Sequence, residues 1–360
     1  MILFILKRLF YGFLVLWGVV SVVFLLFNVL PGDPARMMLG QRADSASVAA
    51  INHDLGRDKP LSVQYLNYIN DLSIISIHNT KDAESFWFLN PNKYGDTKPF
   101  ITFGDEIGIV FKKPYLRRSY QNSRLVSDIL FEAFPKTALL AIVAVSMALI
   151  IGIFVGTLSA IYKDTWFDKL ALVLSVSGMS IPSFFAAILF AWLFAFVLED
   201  YTGLSMFGSL YSVDDFGRGE YINLKNLILP AIVLGIRPLA IVVELTRSSL
   251  LEVMSQDYIR TAKAKGLSRY MVLRNHAMKN ALNPVITAIS GWLASLMAGA
   301  VFVEFVFDWK GVGVAIVDAL NKYDFPVVMG AVMFISVILV LINILVDILY
   351  AYLDPRIRLY

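Results

Sequence analysis

The sequence predicts an all-α polytopic membrane protein with six transmembrane helices and a large external loop after the first helix. Hydrophobic residues make up 58% of the chain and charged residues only 16%, whereas a soluble protein has fewer of the former and more of the latter. A helical crossing of a bilayer needs roughly 20 apolar residues. Runs of about that length or longer cover residues 9–30, 133–162, 167–198, 227–246, 284–307 and 327–353.

The first apolar run is predicted to be a retained membrane helix. Lys7 and Arg8 precede it, and the run ends in the residues Asn28–Gly32, which differ from the small residues of a signal-cleavage site. Basic residues on this flank predict that the N-terminus lies in the cytoplasm.

Three regions follow from the spacing of the runs: a first transmembrane helix at 1–30, an external loop or cap at 31–130, and a five-helix core at 131–360. The loop is too long to be a simple connector. Its stretch from Phe86 to Tyr120 is rich in aromatic residues, which disordered segments generally lack. We therefore expect the loop to be ordered.

Charge sets the predicted orientation of the core. The segment 247–283 holds seven Lys or Arg residues against two acidic ones, which is typical of a cytoplasmic loop. The connections at 199–226 and 304–326 are richer in Asp and Glu and are predicted to lie outside. Arg356 and Arg358 then fall on the cytoplasmic side, so both termini are expected inside the cell.

Several function classes are disfavoured by composition. The chain has no cysteine and only three histidines, so thiol chemistry is excluded and no spacing of metal ligands is evident. A net charge of +3 is too small for a nucleic-acid-binding face. No phosphate-binding G-x-x-x-x-G-K-[ST] sequence occurs, and the isolated Gly311-Val312-Gly313 indicates a turn. The chain is therefore expected to have no enzymatic activity and no cofactor of its own.

The segment from Glu244 to Ile286 has the most informative pattern, which predicts a helix, a break and a second helix. Ala262 and its neighbours favour helix, Gly266 can adopt a left-handed conformation, and Ser268 can cap the next helix. The small side chains of Ala262 and Ala264 are expected to be exposed and to let a partner approach closely. An equally weighted alternative is a basic amphipathic linker that rests on anionic lipid.

Residues Asp257–Arg269, DYIRTAKAKGLSR, resemble the cytoplasmic coupling motif of binding-protein-dependent ABC permeases, in the dipeptide and oligopeptide branch. Other motifs of that family follow in the family's order. They are FNVLPGDPARMMLG (27–40), LGRDKPLSVQYLNYI (55–69), RSSLLEV (247–253), HAMKNALNPVIT (276–287), GAVFVEFVFDWKGVG (299–313) and DILYAYLDPRIR (347–358). The resemblance covers residues 1–70 and 123–360.

The resemblance implies a type I ABC importer-like permease in the inner membrane of a bacterium. Its expected partners are a second homologous permease, two cytoplasmic ATPases that bind ATP and Mg²⁺, and an external substrate-binding protein. The short cytoplasmic helix would dock in a groove of one ATPase. The residues that match the coupling motif are Asp257, Arg260, Thr261, Ala262, Lys265, Gly266 and Leu267.

The chain departs from the family pattern at three places. Arg260 and Thr261 occupy the slots of the broader motif's glutamate and first alanine, so no acidic residue has a role there. Lys310 replaces the proline of a Trp-Pro-Gly-x-Gly turn, which removes the fixed φ of proline. The stretch 73–122 differs from the short segment that the family leads us to expect.

Two single residues carry further expectations. Pro182 is predicted to bend the third helix, because proline removes a backbone hydrogen bond. Glu304 lies near a predicted membrane boundary, where an interfacial position is favoured over contact with substrate.

The function favoured by these patterns is a permease subunit of an ATP-driven importer of peptides or similar small solutes. The alternative is a secondary transporter driven by an ion gradient. Such a transporter would have ionisable residues near the middle of its spans, and none is evident. Dipeptides, longer peptides, nickel complexes and other solutes are not distinguished, because specificity in this family lies mostly in the external binding protein. The pore-lining residues, and pairing with an identical or a different permease, also stay open.

Overall fold

The computed structural model describes residues 2–29, 49, 52, 56–82, 85, 87–104, 106–214 and 219–353. Most of the predicted motif at 27–40 and the end of the motif at 347–358 lie outside these residues. The longer helices are α1 (Ile2–Val29), α2 (Leu61–Leu72), α4 (Val126–Ile161), α5 (Trp166–Ser180), α6 (Ser183–Trp192), α8 (Lys225–Met254), α9 (Asp257–Ala264), α12 (Asn283–Gly299), α13 (Val301–Phe307), α14 (Val312–Asn321) and α15 (Phe325–Leu353).

Single helical turns and short strands connect these elements. The turns are α3 (Pro91–Tyr94), α7 (Glu199–Thr202), α10 (Arg269–Val272) and α11 (Met278–Ala281), with π-helical turns at Leu193–Val197 and Leu273–Ala277. The strands are β1 (Ile75–Asn79), β2 (Pro99–Phe103), β3 (Ile107–Phe111), β4 (Tyr211–Val213) and β5 (Glu220–Ile222).

The number of long apolar helices agrees with the predicted six crossings. Four single helices are long and apolar enough to span a membrane: α1, α4, α8 and α15. Two bent pairs supply the others, α5 with the helix after it and α12 with α13. The first pair turns by 111° between Ser180 and Ser183, where Pro182 stands in extended backbone as the cap of α6. The predicted bend at Pro182 is confirmed.

An ionisable residue does lie deep inside a span, contrary to the expectation from the sequence. Arg237 follows Lys225, the first residue of α8, by 12 positions, which places it about 18 Å along the helix. Pro238 comes next and removes one backbone donor from the same turn. Apolar residues flank Arg237 on both sides as far as Glu244, so the hydropathy of the run does not single the arginine out.

The chain divides into two compact units. One contains residues 2–132 and 315–337, and the other contains residues 133–314 and the C-terminal stretch from Ile338. The core of the first unit joins Val23 and Phe24 of α1 to Tyr68 of α2 and to Met329 and Met333 of α15. The core of the second unit packs apolar side chains of α4, α6, α8 and α12 with Phe307 and Trp309.

A three-stranded antiparallel sheet forms inside the predicted external loop and adds strands to the all-helical expectation. The strand order is β1-β3-β2, with Ile77 opposite Ile109 and Phe103 opposite Ile107. Along β3 buried and more exposed residues alternate, as expected of a strand with one covered face. The segment 73–122 therefore contains regular structure, in line with its aromatic content.

Polar side chains fill the space between this sheet and the end of α2. Tyr94 donates a hydrogen bond to Oδ1 of the buried Asp71 (2.6 Å), and Lys112 Nζ donates to the backbone oxygens of Asp71 (2.6 Å) and Ser73 (3.2 Å). Burial lowers the pKa of Lys112 to about 8. These contacts satisfy the polar groups that the fold removes from water.

His78 is buried in the same region, and its protonation is disfavoured. Its Nε2 lies 3.0 Å from Ser76 Oγ, its Nδ1 lies 3.3 Å from the carbonyl oxygen of Trp87, and its ring packs against Tyr94 with the two ring planes tilted by 53°. Burial lowers the pKa of His78, and the positive charge of Lys112 lowers it further. The folded region therefore binds a proton at His78 less readily than the unfolded chain does.

We expect the sheet to lose stability as the pH falls from 7 to 5. In this range the unfolded chain takes up a proton at His78 that the folded chain resists, so the free energy of unfolding decreases with decreasing pH. The protection factors of the amides in β1 and β3, measured by hydrogen exchange on the intact transporter, should fall by up to about tenfold per pH unit. A His78→Asn variant should show a clearly smaller fall. An identical pH dependence in both proteins would contradict the assignment to His78.

Candidate functional site

The predicted coupling segment, defined as Asp257–Leu267, forms a short helix with a defined end. Leu267 N–H donates to the carbonyl oxygen of Ala262 (3.4 Å) and Gly266 N–H donates to that of Lys263 (3.0 Å), which are the two bonds of a Schellman motif. Gly266 has φ +81°, a conformation that costs a residue with a Cβ atom more. The predicted left-handed glycine is therefore confirmed.

The next helical turn begins at the predicted cap. Ser268 Oγ accepts a hydrogen bond from the backbone N–H of Met271 (3.3 Å). Two sharply defined helix ends thus fix the direction of the chain as it leaves the segment.

One side of α9 is buried against the rest of the same unit. Ile259 is 0% exposed and Ala262 is 5% exposed, and both belong to a cluster with Leu250 of α8 and Ala277 and Ala281 further along the chain. The expected exposure of Ala262 is therefore wrong. Its small side chain lets α9 approach its own chain closely, while Ala264 is exposed as expected.

The opposite side of the coupling segment is exposed. This surface contains Asp257, Arg260, Thr261, Lys265 and Gly266, and Leu267 is half-buried at its edge. The side chains of the ion pair between Arg260 and Asp257 (3.2 Å) are 74% and 94% exposed, so the pair adds little stability. The exposed residues are therefore available to a partner without disturbing the packing of the helix.

Tyr258 gives the segment a further attachment. Its hydroxyl oxygen accepts a hydrogen bond from Asn280 Nδ2 (2.8 Å). Together with the buried side of α9, this bond ties the segment to the turns that lead into α12.

A buried ion pair lies at the same end of α8. Arg247 Nε and Nη2 donate to the two carboxylate oxygens of Asp168 at 2.6 and 2.7 Å, and the Asp168 side chain is 2% exposed. Ser159 and the backbone N–H of Asp164 also donate to this carboxylate. One carboxylate thus joins α4, the turn after it, α5 and α8, and such bidentate pairs are geometrically specific.

Glu304 is the second buried carboxylate of this unit with several donors. It is 0% exposed; Thr137 Oγ1 donates to its Oε1 (2.6 Å) and Gly313 N–H donates to its Oε2 (2.7 Å). Thr137 Oγ1 also accepts from Val312 N–H (2.9 Å). Complete burial favours a structural role for Glu304 over contact with substrate.

The turn at Trp309–Gly313 is anchored despite the lysine that replaces proline. Trp309 Nε1 donates to the carbonyl oxygen of Lys136 (3.0 Å), and Lys310 Nζ pairs with Asp308 at the surface (2.6 Å). Side-chain hydrogen bonds therefore fix a turn that the sequence suggested would be less rigid.

Comparison with known proteins decides the family. The model of the binding-protein-dependent transport system inner membrane component matches residues 148–359, and the model of the N-terminal part of such components matches residues 1–84. The chain belongs to this permease family. It is accordingly a multi-pass membrane protein with the type I ABC permease fold.

Curated relatives match this permease over nearly their whole length. The dipeptide transport system permease protein DppB of Escherichia coli K12 is 35% identical over an alignment of 376 positions, which covers 99% of each chain. The protein of the same name from Alkalihalophilus pseudofirmus is 33% identical over 360 residues, which cover 96% of each chain. A putative peptide transport system permease of Brucella abortus is 36% identical over 98% of each chain.

Sequence reasoning missed the buried ion pair of this permease. Arg247 opens the family-like motif RSSLLEV, yet no partner could be assigned to it, because Asp168 is 79 positions away. The one local signal is that Asp168 lies three residues after the helix cap Thr165, a spacing typical of capping.

Proposed function

We propose that this permease is the membrane subunit of an ATP-driven importer of peptides, and that its segment Asp257–Leu267 docks on a partner ATPase. One observation supports the docking of this segment on an ATPase. The helix α9 is attached to the permease by Ile259 and Ala262 on one side and leaves Arg260 and Thr261 exposed on the other, and Lys265 just after the helix is exposed as well. A two-sided short helix of this kind suits recognition in a groove.

The peptide substrate class is supported by the relatives, of which two are named for dipeptides and one for peptides. We expect a second, homologous permease, two cytoplasmic ATPases that hold ATP and Mg²⁺, and an external binding protein. The basic bias of residues 247–283 favours a cytoplasmic position for the coupling segment. Both termini then lie in the cytoplasm and the sheet region lies outside.

The contacts of the segment suggest how movement reaches the membrane helices. A displacement of α9 would be transmitted to Leu250 of α8, because Ile259 and Ala262 pack in the same cluster. Arg247 lies on the same helix and forms a bidentate ion pair with Asp168. A shift of α8 would therefore move α5 and the end of α4 as well. Bonded and closely packed groups of this kind can carry energetic coupling between sites.

A cysteine-accessibility experiment tests the docking proposal. The permease has no native cysteine, so Thr261→Cys introduces its single thiol. We expect the ATPase subunits to slow the reaction of this thiol with the small reagent N-ethylmaleimide, followed by mass spectrometry of the permease with and without them. Ala262→Cys is the matched control, because the next residue is buried in the permease itself and should react slowly in both cases.

Two results would contradict the proposal. An equal reaction rate at position 261 with and without the ATPases would favour the membrane-surface alternative. A fast reaction at position 262 that only the ATPases slow would show that the surface facing the partner is not the one described.

A further inference from the structure

Arg237 lies in a part of the permease where a charge needs water or a partner. It stands well inside the candidate span Lys225–Met254, and an ionisable residue deep in a membrane helix normally faces a cavity or a binding pathway. The coupling machinery described above does not use it. Its surroundings therefore bear on what passes through the membrane domain.

A cavity of about 170 Å³ lies beside this arginine. Its walls come from the break between α5 and α6, from α8 and from α12, and they include Ile181, Ser183, Leu234 and Trp292. The sharp bend at Pro182 opens the space, because the chain turns away there by 111°. Most of the lining is apolar, with a few polar groups, as in small-molecule sites generally.

The guanidinium of Arg237 has N–H donors without an acceptor in the described part of the chain. Its Nη2 donates to the carbonyl oxygen of Ile181 (3.3 Å), while its Nε is buried and has no acceptor. No carboxylate in the described part of the chain forms an ion pair with it. Since arginine offers five N–H donors in a fixed fork, most of this hydrogen-bonding capacity is unused.

We propose that Arg237 binds the carboxylate of the transported solute in this cavity, an inference that rests on the proposed transport of peptides. A carboxylate matches the guanidinium fork and can accept two parallel hydrogen bonds. An acceptor for the opposite, ammonium end lies on the same wall. Pro238 has no N–H, so the carbonyl oxygen of Leu234, which is among the residues that line the cavity, lacks its usual i+4 donor.

Uptake by the reconstituted transporter provides the first test, with radiolabelled alanyl-alanine as the probe. We expect Arg237→Gln to reduce uptake by at least tenfold, with an intermediate loss for Arg237→Lys, which keeps the charge but loses the fork. Lys225→Gln is the control, because it removes a positive charge from the exposed end of the same helix. It should transport normally. Uptake by Arg237→Gln equal to that of the native protein would overturn the proposal.

A direct binding measurement keeps the inference testable if Arg237→Gln fails to assemble. Phenylglyoxal modifies arginine side chains, and the rate at position 237 in the native complex can be followed by mass spectrometry. Alanyl-alanine should slow this reaction, whereas its C-terminal amide should not. Equal protection by both compounds, or by neither, would show that Arg237 only caps the broken helix through Ile181. Absence of ATP-dependent uptake in the native complex would contradict the proposed function alone.

Discussion

Replacing Gly313 with alanine is expected to destabilise the permease strongly, whereas the same replacement at Gly291 should leave it intact. A Cβ atom at position 313 would lie 2.5 Å from Val301 Cα and 2.7 Å from Glu304 Oε2. The first neighbour is backbone and cannot rotate away, and the second belongs to a carboxylate whose other oxygen, Oε1, accepts a hydrogen bond from Thr137. Overpacking of this kind costs about 1–3 kcal/mol or more.

Gly291 provides a closely matched control. It also lies in a helix, and a Cβ atom there meets nothing within 4 Å. Alanine is favoured over glycine in a helix by about 1 kcal/mol, so no loss is expected. The melting temperature of the detergent-solubilised permease should fall by roughly 1–4 °C for Gly313→Ala, which is what 1–3 kcal/mol corresponds to in a chain of this size. Equal melting temperatures for the two variants would refute the role assigned to the Trp309–Gly313 turn.

Local features of the coupling segment were predictable from the sequence. Gly266 and Ser268 act on their own backbone within a few residues, and the conformational freedom of glycine and the capping ability of serine do not depend on distant contacts. The bend at Pro182 was predictable for the same reason. These residues determine where each helix begins and ends.

Features that depend on distant packing were not predictable. The orientation of Ala262 follows from contacts with α8 and with turns beyond residue 270, and a single helical pattern does not say which side meets the chain and which meets a partner. The pair of Asp168 and Arg247 joins positions far apart in sequence. The donors to Glu304 likewise come from α4 and from the start of α14.

The orientation of Ala262 changes how energy coupling must be tested. A charged residue at position 262 would disrupt the cluster around Ile259 and Leu250, so lost transport would not distinguish a broken joint from a broken fold. Thr261 is exposed, and its hydroxyl only donates to the backbone oxygen of Asp257 (3.0 Å). A large side chain at this position should leave the permease folded and affect only a surface that docks on it.

We expect Thr261→Trp to uncouple the transporter. If the exposed surface of α9 fits closely in a groove of the ATPase, an indole there adds volume that costs about 1–3 kcal/mol, and about 1.4 kcal/mol corresponds to a tenfold change in an equilibrium. Thr261→Ser is the control, because it keeps the hydroxyl and adds no bulk. Both variants should melt at the temperature of the native permease.

The most direct test of ATP coupling through Asp257–Leu267 is uptake of a labelled dipeptide by vesicles that contain the complete transporter, measured together with ATP hydrolysis. Native vesicles should accumulate the peptide only with ATP inside and the binding protein outside, and an ion gradient alone should give none. For Thr261→Trp, uptake and the hydrolysis stimulated by the binding protein should both fall by about tenfold or more, while Thr261→Ser stays normal. Normal uptake and normal hydrolysis by a correctly assembled Thr261→Trp transporter would contradict the account.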